Sequence, residues 1–120
     1  MSKRRTVPVK CRIISWRAIR EFLEAHPDDQ SAPDAFAKWY DLVHNNRFAS
    51  FNEVRRTFPS ADQVGDSVVF NVRGNRYRLV ARFIYEKGRV YIRRVLTHAE
   101  YDREPWEEDC GCRRPPPKKR

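Results

Sequence analysis

Nowhere do the 120 residues hold a run of about eighteen apolar side chains, and the opening MSKRRTVPVK has no apolar core of the kind a secretory signal needs. A membrane-spanning or exported chain is thereby disfavoured, and a cytoplasmic protein is expected. Cysteine is scarce and odd in number. Cys11, Cys110 and Cys112 cannot all pair, which suits a reducing compartment. The spacing Cys110-Gly111-Cys112 is too close for an ordinary zinc knuckle, and no second pair completes a ligand set. Neither metal nor cofactor is expected. The length gives room for one core and not two. No predicted helix combines a turn with an exposed basic face, which argues against a sequence-specific DNA reader.

What the chain does have is positive charge, unevenly placed. A hydrophobic fraction of 40% with 12% aromatics marks a globular protein, and the formal net charge is +9. Residues 1–10 hold four basic side chains and no acid, and read as a flexible basic lead. Residues 103–120 shift abruptly to a linker and a basic tail, with Trp106 unassigned and three consecutive prolines, Pro115 to Pro117, that neither helix nor sheet interior accepts. The folded domain is expected over residues 11–102.

The centre of that domain is Val68 to Asp102, the one long stretch with two-residue alternation. Gly74-Asn75 and Lys87-Gly88 stand where two-residue hairpin loops would, because tight hairpins need positive φ. Three antiparallel strands are predicted. In the middle one, Tyr77, Leu79, Ala81, Phe83 and Tyr85 fall on one face as core, and Arg76, Arg78, Val80, Arg82 and Ile84 on the other. Val90 and Ile92 continue the apolar face in the last strand, where Arg94 and Leu96 blur the pattern.

Upstream, Cys11 to Ser15 is a short strand candidate. Ser15 is placed to cap a helix bearing Trp16, Ile19, Phe22 and Leu23, which His26-Pro27 should end. Ser31, with Asp34 three residues on and Pro33 in the first turn, predicts a capping box before a helix carrying Phe36, Trp39, Tyr40 and Val43. Asn45-Asn46 should stop it. Ser50 and Glu53 repeat the box before a short helix ending near Phe58-Pro59. Trp16 and Trp39 read as core, and His26 and His44 as structural groups near helix ends. Helices followed by strands give an α+β fold, with two or three helices packed on one face of a small, mainly antiparallel sheet.

From Arg73 to Arg94 eight Arg or Lys stand against the single acid Glu86, or +7, whereas residues 11–66 hold seven basic and nine acidic side chains, or −2. Concentrating the field on the hairpins suits a polyanion, since clustered arginines pair with phosphate oxygens. Solvated strand arginines are the plainer alternative. Directly after the last strand, Thr97-His98-Ala99-Glu100-Tyr101-Asp102 gathers an imidazole, a phenol and two carboxylates. Such groups can cleave RNA without a metal when the neighbouring 2′-OH is the nucleophile: a base takes its proton, cations steady the phosphorus centre and an acid protonates the leaving oxygen. A surface cluster that only caps or packs is the alternative.

The runs FNVRGNRYRLV (Phe70–Val80), Tyr91-Ile92-Arg93 and THAEYD (Thr97–Asp102) resemble the HigB-type toxins of bacterial type II toxin–antitoxin modules. Phe58-Pro59-Ser60-Ala61-Asp62 and Arg12-Ile13-Ile14-Ser15 are similar to the same family, so the likeness spans residues 11–102. It implies a RelE-like fold, an mRNA endonuclease that cuts codons on the translating ribosome, and a cognate helix-turn-helix antitoxin. Under that resemblance, Arg78 joins His98 and Tyr101 as the catalytic set, the last two moving protons. Arg73, Arg76, Arg82 and Arg93 bind RNA. Leu96 departs from the family pattern, which has Gly before Thr-His, and the tail from Arg103 has no counterpart in it. A non-catalytic RNA- or protein-binding module on the same fold is the rival reading.

Overall fold

The computed structural model describes residues 12–14 and 16–103. The basic lead, Cys11, the Ser15 cap, Trp106, Cys110, Cys112 and the tail beyond Arg103 lie outside the described residues.

Five strands form one sheet in the order β1-β5-β4-β3-β2. They are β1 (Arg12–Ile14), β2 (Asp62–Val64), β3 (Ser67–Val72), β4 (Tyr77–Ile84) and β5 (Arg89–Thr97). β1 runs parallel to β5, and every other pairing is antiparallel. Helices α1 (Trp16–Ala25), α2 (Ala32–His44) and α3 (Phe51–Thr57) lie between β1 and β2 in the chain, and α4 (His98–Arg103) follows β5. The three-strand meander, β1 and the first three helices are as the sequence predicts. β2 and α4 are additional.

The apolar parity of β4 places Tyr77, Leu79, Ala81 and Phe83 in the main core, where they meet Ile19, Phe22, Phe36, Trp39, Val43 and Val54 from the helices. Phe70 of β3 sits at its centre, ring to ring with Trp39 at 5.4 Å, Phe58 at 4.9 Å and Phe83 at 6.0 Å. Trp16 does not join it. That indole is 37% exposed and packs edge to face with Tyr40, at 5.0 Å, because Ile19 and Phe22 already fill the inward side of α1.

The opposite face has a small core of its own. Val69, Val80 and Leu96 are buried together there, with Val64 and Tyr101 packed against them. Tyr101 belongs to α4, so the sheet carries helices on both faces, three on one and a single short one at the end of the other. Leu96 pairs with Arg78 across the strands and is 2% exposed. It contributes side-chain burial that glycine cannot.

The blurred alternation in β5 has a cause. Val80 pairs with Arg94 but Ala81 pairs with Ile92, so Arg93 is an extra residue, a β-bulge. Before it Val90 and Ile92 face the main core. After it Val95 does, and Leu96 turns to the outer face.

Turn chemistry departs from expectation at three places. The β3–β4 connection is a four-residue loop, 73–76, in which both Arg73 (φ 59°) and Gly74 (φ 63°) are left-handed. The β4–β5 connection is a 3-10 turn, Tyr85–Lys87, closed by left-handed Gly88 (φ 64°) and bridged by Arg47, whose guanidinium donates to the carbonyls of Tyr85 and Glu86 at 3.1 and 2.9 Å. A Cβ at Gly88 would collide with that guanidinium. Finally, neither Ser31 nor Ser50 caps its helix through its side chain. Ser31 has near-helical φ and ψ, and its N–H donates to Asp29 Oδ1 at 3.1 Å. Glu53 reaches back to the Ala49 N–H at 2.8 Å instead.

Candidate nucleic-acid interface

Two of the expected site residues, Arg78 and Tyr101, meet at one end of the outer face, and His98 starts the helix that carries Tyr101. Thr97, the last residue of β5, forms a reciprocal box with Glu100: the Thr97 N–H donates to Glu100 Oε1 at 2.9 Å, and the Glu100 N–H to Thr97 Oγ1 at 3.1 Å. This starts α4 immediately at His98. Glu100 is thereby occupied in holding the helix. The His98 N–H, left over in the first turn, donates to the Arg76 carbonyl at 2.8 Å, which ties α4 to the β3–β4 loop.

Side chains three and four apart on a helix share a face. Hence His98 Nδ1 lies 3.0 Å from Asp102 Oδ2, both groups being well exposed, and Tyr101 turns back over the sheet. Arg78 comes up from β4 beneath it, its guanidinium carbon 5.6 Å from the centre of the Tyr101 ring. Only 9% exposed, Arg78 donates to the Asn75 and Tyr77 carbonyls at 3.1 and 3.2 Å and to Asn75 Oδ1 at 2.7 Å. Three of its five donors are thus spent on the loop, leaving two for another acceptor. The sequence pattern places Arg78 on a solvated face, but its cation is instead clamped between loop and helix.

Arg82 and Arg93 lie further along the same face, both beside Asp66 of the β2–β3 turn, at 3.8 and 3.1 Å. Arg76 is exposed at the loop. Arg73 stands apart from the others. Its Nε donates to Asp29 at 3.0 and 3.2 Å, on the side of the sheet where the α1–α2 connection runs. There it borders a cleft of about 430 Å³ with His26, Pro27, Arg76 and Tyr77.

Asp29 is the centre of that cleft's wall. It also accepts the Tyr77 hydroxyl at 2.5 Å, and these bonds draw its carboxyl down from 3.8 to about 2, the tyrosine contributing most and burial opposing. Burial and the same contact push the Tyr77 hydroxyl above its ordinary 10. A carboxyl whose folded value lies below its unfolded one adds stability above pH 4 that disappears as pH falls from about 4 to about 2. Thermal melts over that range should show this loss in the wild type. With Tyr77→Phe the loss should be shallower, because the strongest hydrogen bond to the carboxylate is gone.

Sequence reasoning counted Asp102 only as one of the carboxylates after the last strand and Asn75 only as a turn residue, and left Asp66 without a role. The signal for Asp102 was present: T-x-x-E starts a helix, and a helix brings residues 98 and 102 together. Nothing in the sequence connects Asp66 with Arg93 across 27 positions. Among the described residues no group of three or more His, Cys, Asp or Glu is arranged to hold a metal ion. No described helix is long and apolar enough to cross a membrane.

Residues 32–104 match the family described as HigB_toxin, RelE-like toxic component of a toxin-antitoxin system. The chain is 31% identical over 93 residues to the mRNA interferase toxin HigB of Escherichia coli K12, covering 75% of this chain and 86% of that protein. The mRNA interferase HigB of Shigella flexneri matches to the same extent. That of Escherichia coli O6:H1 is 28% identical over 94 residues, with 76% and 88% covered.

Proposed function

The chain belongs to the HigB family of RelE-like toxins, and from that premise we propose that it is an mRNA interferase acting on the translating ribosome, with the cut made by the RNA's own 2′-OH. The observation that carries the reading is the stacking of Arg78 under Tyr101 at one end of a basic sheet face, with His98 on the same short helix three residues before Tyr101.

The roles follow from the chemistry each group can supply. Asp102 engages His98 Nδ1 as the acceptor of its N–H, so Nε2 keeps its lone pair and takes the proton of the 2′-OH. The 2′ oxygen attacks the adjacent phosphorus, forming a 2′,3′-cyclic phosphate and releasing the 5′ oxygen. Tyr101 supplies the phenolic proton to that oxygen. Arg78, pre-oriented by Asn75, steadies the charge on the phosphoryl oxygens with its two remaining donors. Arg76, Arg82 and Arg93 hold flanking phosphates, and Arg73 adds charge at the loop. The +7 segment draws the protein to ribosomal RNA as well as to the message. A helix-turn-helix antitoxin keeps the toxin silent in the cell, and the setting is the cytoplasm.

Purified full-length protein incubated with translating ribosomes and mRNA tests this. Codon-phased cuts ending in 2′,3′-cyclic phosphate, persisting in EDTA with just enough magnesium to keep ribosomes intact, are the expected result. Ends with a 3′-hydroxyl and a 5′-phosphate would mean attack by water, most simply on a metal ion, and would overturn the mechanism. Binding without cuts would leave only a non-catalytic module.

A further inference from the structure

Asp66 is an acid in the middle of the basic face. It follows left-handed Gly65 (φ 59°) in the tight β2–β3 turn, and its side chain is 44% exposed. Oδ1 accepts from Arg93 Nη1 at 3.1 Å, and Oδ2 lies 3.8 Å from Arg82 Nη1. The same Arg93 nitrogen reaches Ser67 Oγ at 3.3 Å. Ser67 is fully buried and the Arg93 side chain only 18% exposed, so this guanidinium is anchored from below and open on the side where Asp66 sits.

We propose that Arg93, Arg82 and the Ser67 anchor form a subsite for a backbone phosphate of single-stranded RNA, and that the Asp66 carboxylate is an internal stand-in which the phosphate displaces. The proposal rests on the outer face being the RNA surface. Carboxylate and phosphate are recognised by the same guanidinium donors, so a site built around one oxyanion accepts the other. The exchange is inexpensive, because ion pairs exposed to this degree contribute little. Two cations against one carboxylate leave the site with a net charge of +1, and displacing Asp66 exposes both cations to the phosphate. Along β5, Arg93 precedes His98 by five residues, roughly 16 Å at the rise of a strand. The phosphate held there is therefore a flanking one and not the one that is cut.

The test uses full-length wild type, Asp66→Asn, Arg93→Ala and the double variant, titrated with a fluorescent single-stranded RNA oligonucleotide over a salt series. Asparagine keeps an amide oxygen for Arg93 and removes only the competing charge. Asp66→Asn should bind about two- to fivefold tighter at low salt, with a salt slope steeper by up to about 0.7. Arg93→Ala should bind more weakly, and in that background Asp66→Asn should bring no gain. Unchanged or weaker binding by Asp66→Asn would overturn the subsite. So would an equal gain with and without Arg93, since that is a general charge effect. Cleavage is not read here: a wild type that binds the oligonucleotide but never cuts mRNA refutes the nuclease and leaves the subsite standing, whereas one that cuts mRNA on the ribosome but binds no oligonucleotide refutes the subsite alone.

Discussion

His98→Ala is expected to lower mRNA cleavage by roughly 10²- to 10⁴-fold, the usual contribution of a positioned proton-transfer group, while ribosome affinity stays close to that of the wild type. The imidazole is exposed and makes its contact with Asp102 within one helical turn, so its removal takes nothing from either core. The bond from the His98 backbone N–H to the Arg76 carbonyl survives in alanine. Loss of rate without loss of binding or melting temperature is therefore the signature of chemistry, read by single-turnover cleavage on programmed ribosomes. Expression of the wild type without antitoxin should arrest growth, and the variant should be tolerated. Cleavage at the wild-type rate would remove His98 from the mechanism.

Phe70→Ala should produce the largest loss of stability, about 3 to 5 kcal/mol. The side chain is 1% exposed and is surrounded by the rings of Trp39, Phe58 and Phe83, drawn from α2, the end of α3 and β4. No single neighbour can move in to fill the space, because each is fixed by its own element. Denaturant unfolding followed by tryptophan fluorescence measures the change, with Trp39 reporting directly on the site. A loss below about 1 kcal/mol would mean that the core collapses around the gap, and would count against the packing described for the three rings.

Most of the fold was legible because burial follows parity. Tyr77, Leu79, Ala81 and Phe83 alternate with a mixed basic and aliphatic set, Arg78, Val80, Arg82 and Ile84, over a whole strand, and that pattern aims β4 at the helices. Three residues are too few for such a signal, which is why the sequence predicts no strand at Asp62–Val64; β2 exists because β3 offers it an edge. Trp16 misled because helical spacing cannot rank two adjacent apolar stripes, and Ile19 with Phe22 took the inner one. In the site, His98 and Tyr101 were visible as residue types, whereas the state of Arg78 was not. Its burial depends on Asn75 folding the loop back and on Tyr101 lying above it, two contacts that no periodicity encodes. Arg73 looked like one more member of a basic run. A left-handed backbone turns it toward Asp29 instead.

The extra residue at Arg93 works as a phase shift in the wave of side chains along β5. Upstream of it even-numbered positions look toward the helices, and downstream odd-numbered ones do. Were the chain one residue shorter there, the downstream half of the strand would be inverted: Leu96 would be driven into the aromatic core and Val95 into solvent, and His98 would leave the sheet from the wrong side, with Tyr101 facing away from Arg78. The handedness of the whole α4 end of the sheet is thus decided by a single count, made five residues before His98.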